Sequence, residues 1–156
     1  MTAVELSKLF IEKGRTLGCV ESFTGGLFSQ QITAIPGASH FFKGGLVTYA
    51  TEEKSRILGI SYSLIDKVGV VSQEVAQEMA SHGKALLNVD YCVSFTGNAG
   101  PSAMENKPIG EVYIAVAAYE TVVVTKNNLN GTRDEIQHQA LDIAYQLLSE
   151  LLSQKN

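Results

Sequence analysis

The sequence has few of the residues that reinforce small proteins. Its 156 residues include two cysteines, three prolines and no tryptophan, and neither a Cys-x-x-Cys motif nor a cluster of cysteine and histidine is present. A structural zinc site is therefore not indicated. Cys19 and Cys92 each lie in an apolar run typical of a strand, which favours buried free thiols over a disulfide or a reactive pair. The hydrophobic share of 45% can supply a core without metal or disulfides.

Long apolar runs and an excess of positive charge are also missing. No stretch approaches the ~18–20 apolar residues that a membrane span requires. The first residues, up to Gly14, follow an amphipathic helix pattern that differs from a signal peptide. The net charge of −4 gives no general attraction to nucleic acid or anionic lipid, although it does not describe an individual cleft. We therefore expect a cytoplasmic protein of one domain over residues 1–156, with neither a nucleic-acid nor a membrane partner.

What the sequence does contain is an alternation of helix and strand periods. Helices are predicted up to Gly14, over 25–35, over 51–58, from 72 to 87 and from 132 to 152, and strands over 16–21, 41–50 and 90–96 and in a hairpin of 111–118 and 121–126. Strands separated by helices are typical of an α/β fold whose mostly parallel sheet is covered on both faces, and the hairpin makes the sheet mixed. In such folds, ligands bind where loops leave the carboxyl ends of the strands.

The first candidate segment, residues 21–26, joins a predicted strand to a predicted helix. Its two hydroxyl residues and two glycines predict exposed backbone N–H groups at a helix amino end, which can bind phosphate or stabilise an oxyanion beside a nucleophilic Ser22. Spacing alone favours a simpler interpretation, in which Ser22 or Thr24 caps the helix and the glycines allow close packing. Neither the P-loop pattern nor the Gly-x-Ser-x-Gly motif occurs.

The second segment, residues 44–54, contains Tyr49 near the end of a strand and Lys54 in the first turn of the next helix. The partial positive charge of a helix amino end would lower the pKa of Lys54, which suits a neutral general base. Glu52 and Glu53 act in the opposite direction, and a solvated surface lysine is an alternative of equal weight. Tyr49 by itself is more often a core or rim aromatic than a catalytic phenol.

The third segment, residues 96–101, is a glycine-rich exit from a predicted strand, followed by the Lys-Pro-Ile-Gly sequence of residues 107–110. Such an exit can hold a phosphate or allow a flat ring to approach the backbone, and a plain turn explains it equally well. Arg133 lies in the first turn of the last helix, where it can clamp a phosphate, although arginines at such positions are usually just exposed.

In order and spacing, these segments resemble the CinA carboxy-terminal domain family. The resemblance extends from the first predicted helix to the last and rests on the motifs ESFTGG (21–26), VTY with Glu52 and Lys54 (47–54), GVVS (69–72), GNAGP (97–101), KPIG (107–110) and GTR (131–133). It implies a three-layer α/β/α sandwich around a mixed, mostly parallel sheet. It also implies an amidohydrolase that deamidates nicotinamide mononucleotide to nicotinic acid mononucleotide and ammonia, without a cofactor or metal. The chain looks like the stand-alone form, without the additional amino-terminal domain of larger relatives.

The resemblance also assigns roles residue by residue. Ser22 falls on the family's serine, the candidate nucleophile, and Lys54 on its lysine, the candidate base, with Tyr49 as an orienting or proton-relaying group. A partly neutral lysine can deprotonate a serine hydroxyl without a histidine. Backbone N–H groups of residues 24–26 would receive the oxyanion, and the loop 97–100 with Arg133 would hold ribose and phosphate. The implied substrate-binding residues are Glu21, Thr24, Gly25, Gly26, Thr96, Gly97, Ala99, Gly100 and Arg133.

Four positions depart from the family pattern. Phe23 stands in place of a cysteine or small residue, Asn98 in place of isoleucine, residues 102–104 in place of an Asp-Gly sequence, and Gln137 in place of a second arginine. Charge-assisted contacts are roughly twice as strong as neutral ones, so we expect Gln137 in place of an arginine to lower the affinity for a phosphate. Two alternatives stay open: a weakened family member that binds a nucleotide as a sensor or partner protein, and a competence- or damage-linked interaction protein without a small ligand. A homo-oligomer fits a chain of this size, with its stoichiometry left open.

Overall fold

The computed structural model describes residues 1–154, which form five strands, six α-helices and one short 3-10 helix. In chain order these are α1 (Ala3–Lys13), β1 (Leu17–Glu21), α2 (Leu27–Thr33), the 3-10 helix (Ala38–His40), β2 (Phe42–Val47), α3 (Thr51–Arg56), α4 (Tyr62–Val68), α5 (Gln73–Leu87), β3 (Tyr91–Gly97), β4 (Glu111–Ala118), β5 (Thr121–Asn128) and α6 (Arg133–Ser153). Residues 155 and 156 of the predicted domain lie outside the described residues. No helix within residues 1–154 is long and apolar enough to cross a bilayer.

The five strands form one mixed sheet in the order β2-β1-β3-β4-β5. β1 pairs in parallel with β2 and with β3, whereas β4 is antiparallel to both β3 and β5. The two residues between β4 and β5, Tyr119 and Glu120, are too short a connection for anything but a hairpin. Within this sheet β4 therefore runs against the other four strands. The prediction of an α/β fold with a mixed sheet is confirmed.

Alternating side chains of the strands divide the core into two layers, one on each face of the sheet. On one face, Cys19 and Phe95 pack with apolar residues of α1, α2 and α6. On the other face, Val20 and Cys92 pack with apolar residues of α4 and α5. This division follows from the period of two in a β-strand and produces the expected three layers. Both cysteines are buried free thiols, as predicted.

Three helices differ from the prediction, of which α3 ends at Arg56 instead of residue 58. α2 begins at Leu27 instead of residue 25, because Gly25 and Gly26 have left-handed backbone conformations with φ of 60° and 106°, which do not continue a right-handed helix. α4 was not predicted, because its seven residues span only two turns and show little periodicity. Its boundaries did carry a signal, since Ser61 caps its amino end and Gly69 follows its last residue.

The carboxyl ends of β1, β2 and β3 meet at one edge of the sheet. Glu21 is paired with Val47 on one side and with Phe95 on the other. The backbone pairing continues one residue further, where the Thr48 N–H donates to the Glu21 carbonyl at 2.9 Å and the Ser22 N–H donates to the Phe95 carbonyl at 3.1 Å. β2 was predicted to reach residue 50, but it ends at Val47 and frees residues 48–50 for the site. This is the edge at which α/β folds bind ligands.

Candidate active site

A pocket of about 310 Å³ opens at the carboxyl ends of β1, β2 and β3. Its lining comes from the segments that follow these strands, from the turn before α5 and from the first turn of α6. The lining residues are Ser22, Phe23, Tyr49, Ala50, Thr51, Val70, Thr96, Gly97, Asn98, Ala99, Gly100, Ser102, Met104 and Arg133. The volume lies at the lower end of the range of about 300–1,000 Å³ that is typical of small-molecule sites.

Ser22 and Lys54 meet beside this pocket, although they are 32 positions apart in the chain. The Lys54 Nζ donates to the Ser22 Oγ at 3.1 Å, to the Thr48 carbonyl at 2.6 Å and to the Tyr49 carbonyl at 3.4 Å. These acceptors match the three N–H donors of an ammonium group. When the amine is neutral, its lone pair can instead accept the Ser22 proton. The predicted serine–lysine contact is therefore present in the fold.

The Lys54 side chain is fully buried, with 0% of its surface exposed, so the alternative of a solvated lysine is wrong. Burial lowers the pKa of Lys54 from 10.5 to about 8, because loss of solvation disfavours the charged form. The negative charges of Glu105 and Glu52 act in the opposite direction and raise this pKa. A lowered pKa of Lys54 was expected, but its main cause is burial rather than the amino end of α3. At pH 7, roughly a tenth of an amine with this pKa is neutral.

Tyr49 and Arg133 form a second contact in the pocket. Arg133 donates from Nη2 to the Tyr49 hydroxyl at 3.0 Å and from Nη1 to the Gly100 carbonyl at 2.7 Å. The arginine is half-buried rather than freely exposed, and further N–H donors of its guanidinium are left for a ligand. The Tyr49 phenol thus binds Arg133, while the contact of Tyr49 with Lys54 is made by its carbonyl.

Glu21 lies at the amino end of α2. Its side chain is fully buried, and its carboxylate accepts hydrogen bonds from the backbone N–H groups of Phe28 at 2.9 Å and Ser29 at 3.1 Å and from the Ser29 hydroxyl at 2.8 Å. A negative charge is favourable at a helix amino end, so Glu21 fills the place at which a phosphate was expected. The predicted substrate contact of Glu21 is therefore corrected to a positioning role: it anchors α2 next to Ser22.

The hydroxyl residues of the 22–26 segment do not cap α2. Gly26 is the N-cap residue and makes no side-chain hydrogen bond, so the capping alternative is wrong. Of the three backbone groups predicted to receive an oxyanion, the Gly25 N–H already donates to the Ser22 carbonyl at 3.0 Å. The N–H groups of Thr24 and Gly26 make no hydrogen bond within residues 1–154 and stay as candidate donors.

The loop after β3 supplies another side of the pocket. The Thr96 hydroxyl donates to the Val70 carbonyl at 2.7 Å and ties β3 to the turn before α5. Gly97 packs so closely on β4 that a Cβ there would lie 2.6–2.8 Å from its atoms, which explains the glycine. The predicted residues Thr96, Gly97, Ala99 and Gly100 all line the pocket.

Two of the departures from the family pattern make contacts inside the protein. The Asn98 Nδ2 donates to the carbonyls of Met104 and Lys107 at 3.1 Å each, and thereby holds the loop before β4. The Gln137 Nε2 donates to the Phe23 carbonyl at 2.7 Å, which links α6 to the segment after β1. Both amides therefore support the shape of the site.

Thr48 and Glu105 had no predicted role. The Thr48 carbonyl is the acceptor nearest to the Lys54 Nζ, and a backbone carbonyl leaves no signature in a side-chain pattern. Glu105 comes close to the site only through the path of a loop, which periodicity does not predict. Within residues 1–154, no group of three or more His, Cys, Asp or Glu side chains could hold a metal ion.

The architecture and the site define a class of protein: a three-layer α/β/α domain with a serine–lysine pair beside a pocket at the carboxyl ends of its parallel strands. The sequence profile of the CinA C-terminal domain matches residues 1–152. The chain belongs to this family.

The relatives agree with this placement. A CinA-like protein from Petrotoga mobilis is 39% identical over 153 residues, which is 97% of this chain and 38% of that protein. A CinA-like protein from Flavobacterium psychrophilum is 40% identical over 146 residues, or 93% of this chain and 35% of that protein. The chain therefore spans little more than a third of the length of these relatives.

Solved structures cover the chain almost completely. The competence damage-inducible protein A (ComA) from Klebsiella pneumoniae has a TM-score of 0.94 at 26% identity, over 100% of both chains. The competence/damage inducible protein CihA from Agrobacterium tumefaciens has a TM-score of 0.89 at 30% identity, over 97% of this chain and 96% of that one. The three-layer fold is thus the fold of these proteins.

Proposed function

We propose that this chain is an amidohydrolase that deamidates nicotinamide mononucleotide to nicotinic acid mononucleotide and ammonia. The observation that carries the proposal is the 3.1 Å hydrogen bond between the Ser22 Oγ and the fully buried Lys54 Nζ. The choice of substrate comes from the family resemblance, because the names of the relatives refer to CinA or to competence and damage and describe no reaction.

The first half of the reaction acylates the serine. The neutral Lys54 amine accepts the Ser22 hydroxyl proton as the Oγ attacks the carboxamide carbon. The oxyanion that forms is stabilised by backbone N–H groups, for which Thr24 and Gly26 are the candidates. The intermediate collapses as the Lys54 ammonium returns its proton to the amide nitrogen. Ammonia leaves, and an ester joins Ser22 to the nicotinoyl group.

The second half of the reaction hydrolyses this ester. A water molecule attacks the ester carbon while Lys54 accepts one of its protons. The Ser22 oxygen leaves and is reprotonated by the Lys54 ammonium, and the carboxylate product is released. One lysine thus serves in turn as base and acid, and a pKa of about 8 keeps both forms accessible near neutral pH.

The pocket suits an anionic, flat substrate. Arg133 uses two of its guanidinium N–H donors on the Gly100 carbonyl and the Tyr49 hydroxyl, so its charge and other donors can bind a phosphate. The backbone of the 96–100 loop carries little side-chain bulk at Gly97, Ala99 and Gly100, which allows a ring or ribose to approach.

The test is ammonia release from nicotinamide mononucleotide by the parent protein and by Ser22→Ala. The kcat of the variant should be lower by a factor of about a thousand or more, because the nucleophile is absent. Ser102→Ala is the matched control, since Ser102 also lines the pocket but makes no hydrogen bond to Lys54 within the described chain, and it should keep most activity.

Each outcome has a distinct meaning. Activity retained by Ser22→Ala would remove the serine from the mechanism. A parent protein without activity would refute the amidase proposal. If the mononucleotide then raised the melting temperature of that inactive protein, the nucleotide-binding sensor would be favoured.

A further inference from the structure

The loop between β3 and β4 contains a segment, residues 102–108, that is fastened to the turn between α4 and α5. The Glu105 carboxylate accepts hydrogen bonds from the N–H groups of Val70 at 2.7 Å and Val71 at 3.2 Å. The Lys107 Nζ donates to the carbonyls of Val68 at 2.9 Å and of Val71, and to Glu105 at 3.2 Å. The two side chains therefore bind both the donors and the acceptors of the same turn.

The turn is shaped to receive this carboxylate. Gly69 has a left-handed φ of 79°, and a Cβ at this position would collide with the Glu105 carboxylate. From the other side, Asn98 donates to the carbonyls of Met104 and Lys107. The segment is thus held on two sides, by the backbone of the turn between α4 and α5 and by the Asn98 side chain.

The fastened segment is part of the pocket. Its residues Ser102 and Met104 line the pocket, and so does Val70, whose backbone N–H donates to the Glu105 carboxylate. The Thr96 hydroxyl donates to the Val70 carbonyl and joins the same turn to the end of β3. A change in the contact of Glu105 would therefore alter the pocket lining directly.

Glu105 also acts on Lys54 by its charge. Burial lowers the pKa of Lys54, and the carboxylates of Glu105 and Glu52 raise it, with Glu105 the stronger of the two. Glu52 is exposed and belongs to the same helix as Lys54, whereas Glu105 comes from the β3–β4 loop and carries Lys107 as its own ion-pair partner. Within residues 1–154, the charges that shift the pKa of Lys54 are thus those of Glu105 and Glu52, and Glu105 itself is paired with Lys107.

We propose that Glu105 is a positioning residue of the active site, which fixes the 102–108 segment as one side of the pocket and supplies a negative charge that acts on the Lys54 ammonium. The catalytic consequence rests on the proposed amidase function. The contacts and the charge effect do not depend on it.

The two parts of the proposal can be separated by mutation. Glu105→Gln removes the charge and leaves one oxygen acceptor for two backbone N–H groups. Glu52→Gln removes the other carboxylate and leaves the 102–108 segment fastened, so it is the matched control. Both variants should lower the pKa of Lys54, which makes the amine neutral at lower pH. The acid limb of kcat/KM should therefore move to lower pH in both, and only Glu105→Gln should also raise KM, by roughly threefold or more.

A second readout follows Lys54 without using activity. In protein with 13C-labelled lysine, the Lys54 Cε resonance, identified by its loss in Lys54→Arg, is titrated by NMR in the parent and both variants. A midpoint shifted to lower pH in Glu105→Gln supports the proposal even if the parent releases no ammonia, which would refute only the proposed function. An unchanged midpoint in Glu105→Gln overturns the charge effect, and an unchanged KM overturns the positioning role.

If Glu105→Gln does not fold, Glu105→Asp tests the same idea. The shorter side chain keeps the charge and loosens the contacts with Val70 and Val71. A raised KM with a Lys54 midpoint close to that of the parent is expected. An unchanged KM would contradict the positioning role.

Discussion

From the burial of Lys54 we predict that the free energy of unfolding depends on pH, independently of catalysis. In the unfolded chain its pKa is the ordinary 10.5, and in the fold it is about 8. Between these two values, the unfolded chain binds a proton that the folded protein has released. The free energy of unfolding therefore contains a contribution from Lys54 that rises as the pH rises through this window. Below about pH 8 the fold has to hold a charged amine away from water.

The magnitude follows from the two pKa values. Each pKa unit corresponds to about 1.4 kcal/mol, so the full contribution is about 3 kcal/mol. Between pH 7 and pH 10, about 2–3 kcal/mol of it should be recovered. Lys54→Met has a side chain of similar length and no titrating group, so its free energy of unfolding should lack this gain.

The assay is urea unfolding followed by circular dichroism, for both proteins at pH 7 and at pH 10. Burial also raises the pKa of Cys19 and of Cys92, which lowers stability at alkaline pH because the unfolded thiols ionise first. This loss is common to the parent and the variant and cancels in their difference. The parent should gain about 2–3 kcal/mol on Lys54→Met between the two pH values. A difference that is the same at both pH values would refute the idea that Lys54 is held in the fold with a lowered pKa.

Two further predictions concern Glu21 and Arg133. Glu21→Gln places an amide N–H against the donors at the amino end of α2, so the free energy of unfolding in urea should fall by about 1–3 kcal/mol. The loss should exceed that in the control Ser29→Ala, which removes one hydroxyl contact. Stability equal to that of the parent would contradict the anchoring role. Arg133→Met should raise KM for nicotinamide mononucleotide by about tenfold and should change KM much less for the riboside, which lacks the phosphate. An equal rise in both KM values would mean that Arg133 supports the shape of the pocket rather than binding the phosphate.

Much of the fold was predictable because its elements obey simple periods. The amphipathic stripe of α5 and the capping box that begins α6 identify these helices, and two β-rich runs separated by two residues identify the hairpin of β4 and β5. The errors occur where a local conformation decides the boundary. The left-handed Gly25 and Gly26 shorten α2, and α4 is too short to show a period.

The sequence predicted part of the candidate site, but not its physical causes. The family resemblance pointed to Ser22 and Lys54, and the fold brings them into contact. The reason for the lowered pKa was misplaced, because burial depends on packing that no local pattern reveals. The role of Glu21 was misassigned for a similar reason: its acceptors serve the α2 backbone, which becomes visible only when α2 folds back over β1.

The occupation of the α2 amino end by Glu21 has a consequence for how the pocket can hold an anion. The backbone donors of Phe28 and Ser29 are already bound, so the helix end cannot serve a phosphate as well. Among the described residues that line the pocket, Arg133 is the only lysine or arginine. Gln137 stands where the family usually has a second arginine, and its amide is used on the Phe23 carbonyl. In the proposed amidase, binding of the substrate phosphate would therefore rely on one guanidinium, and a single substitution at Arg133 should remove most of the discrimination between a nucleotide and its nucleoside.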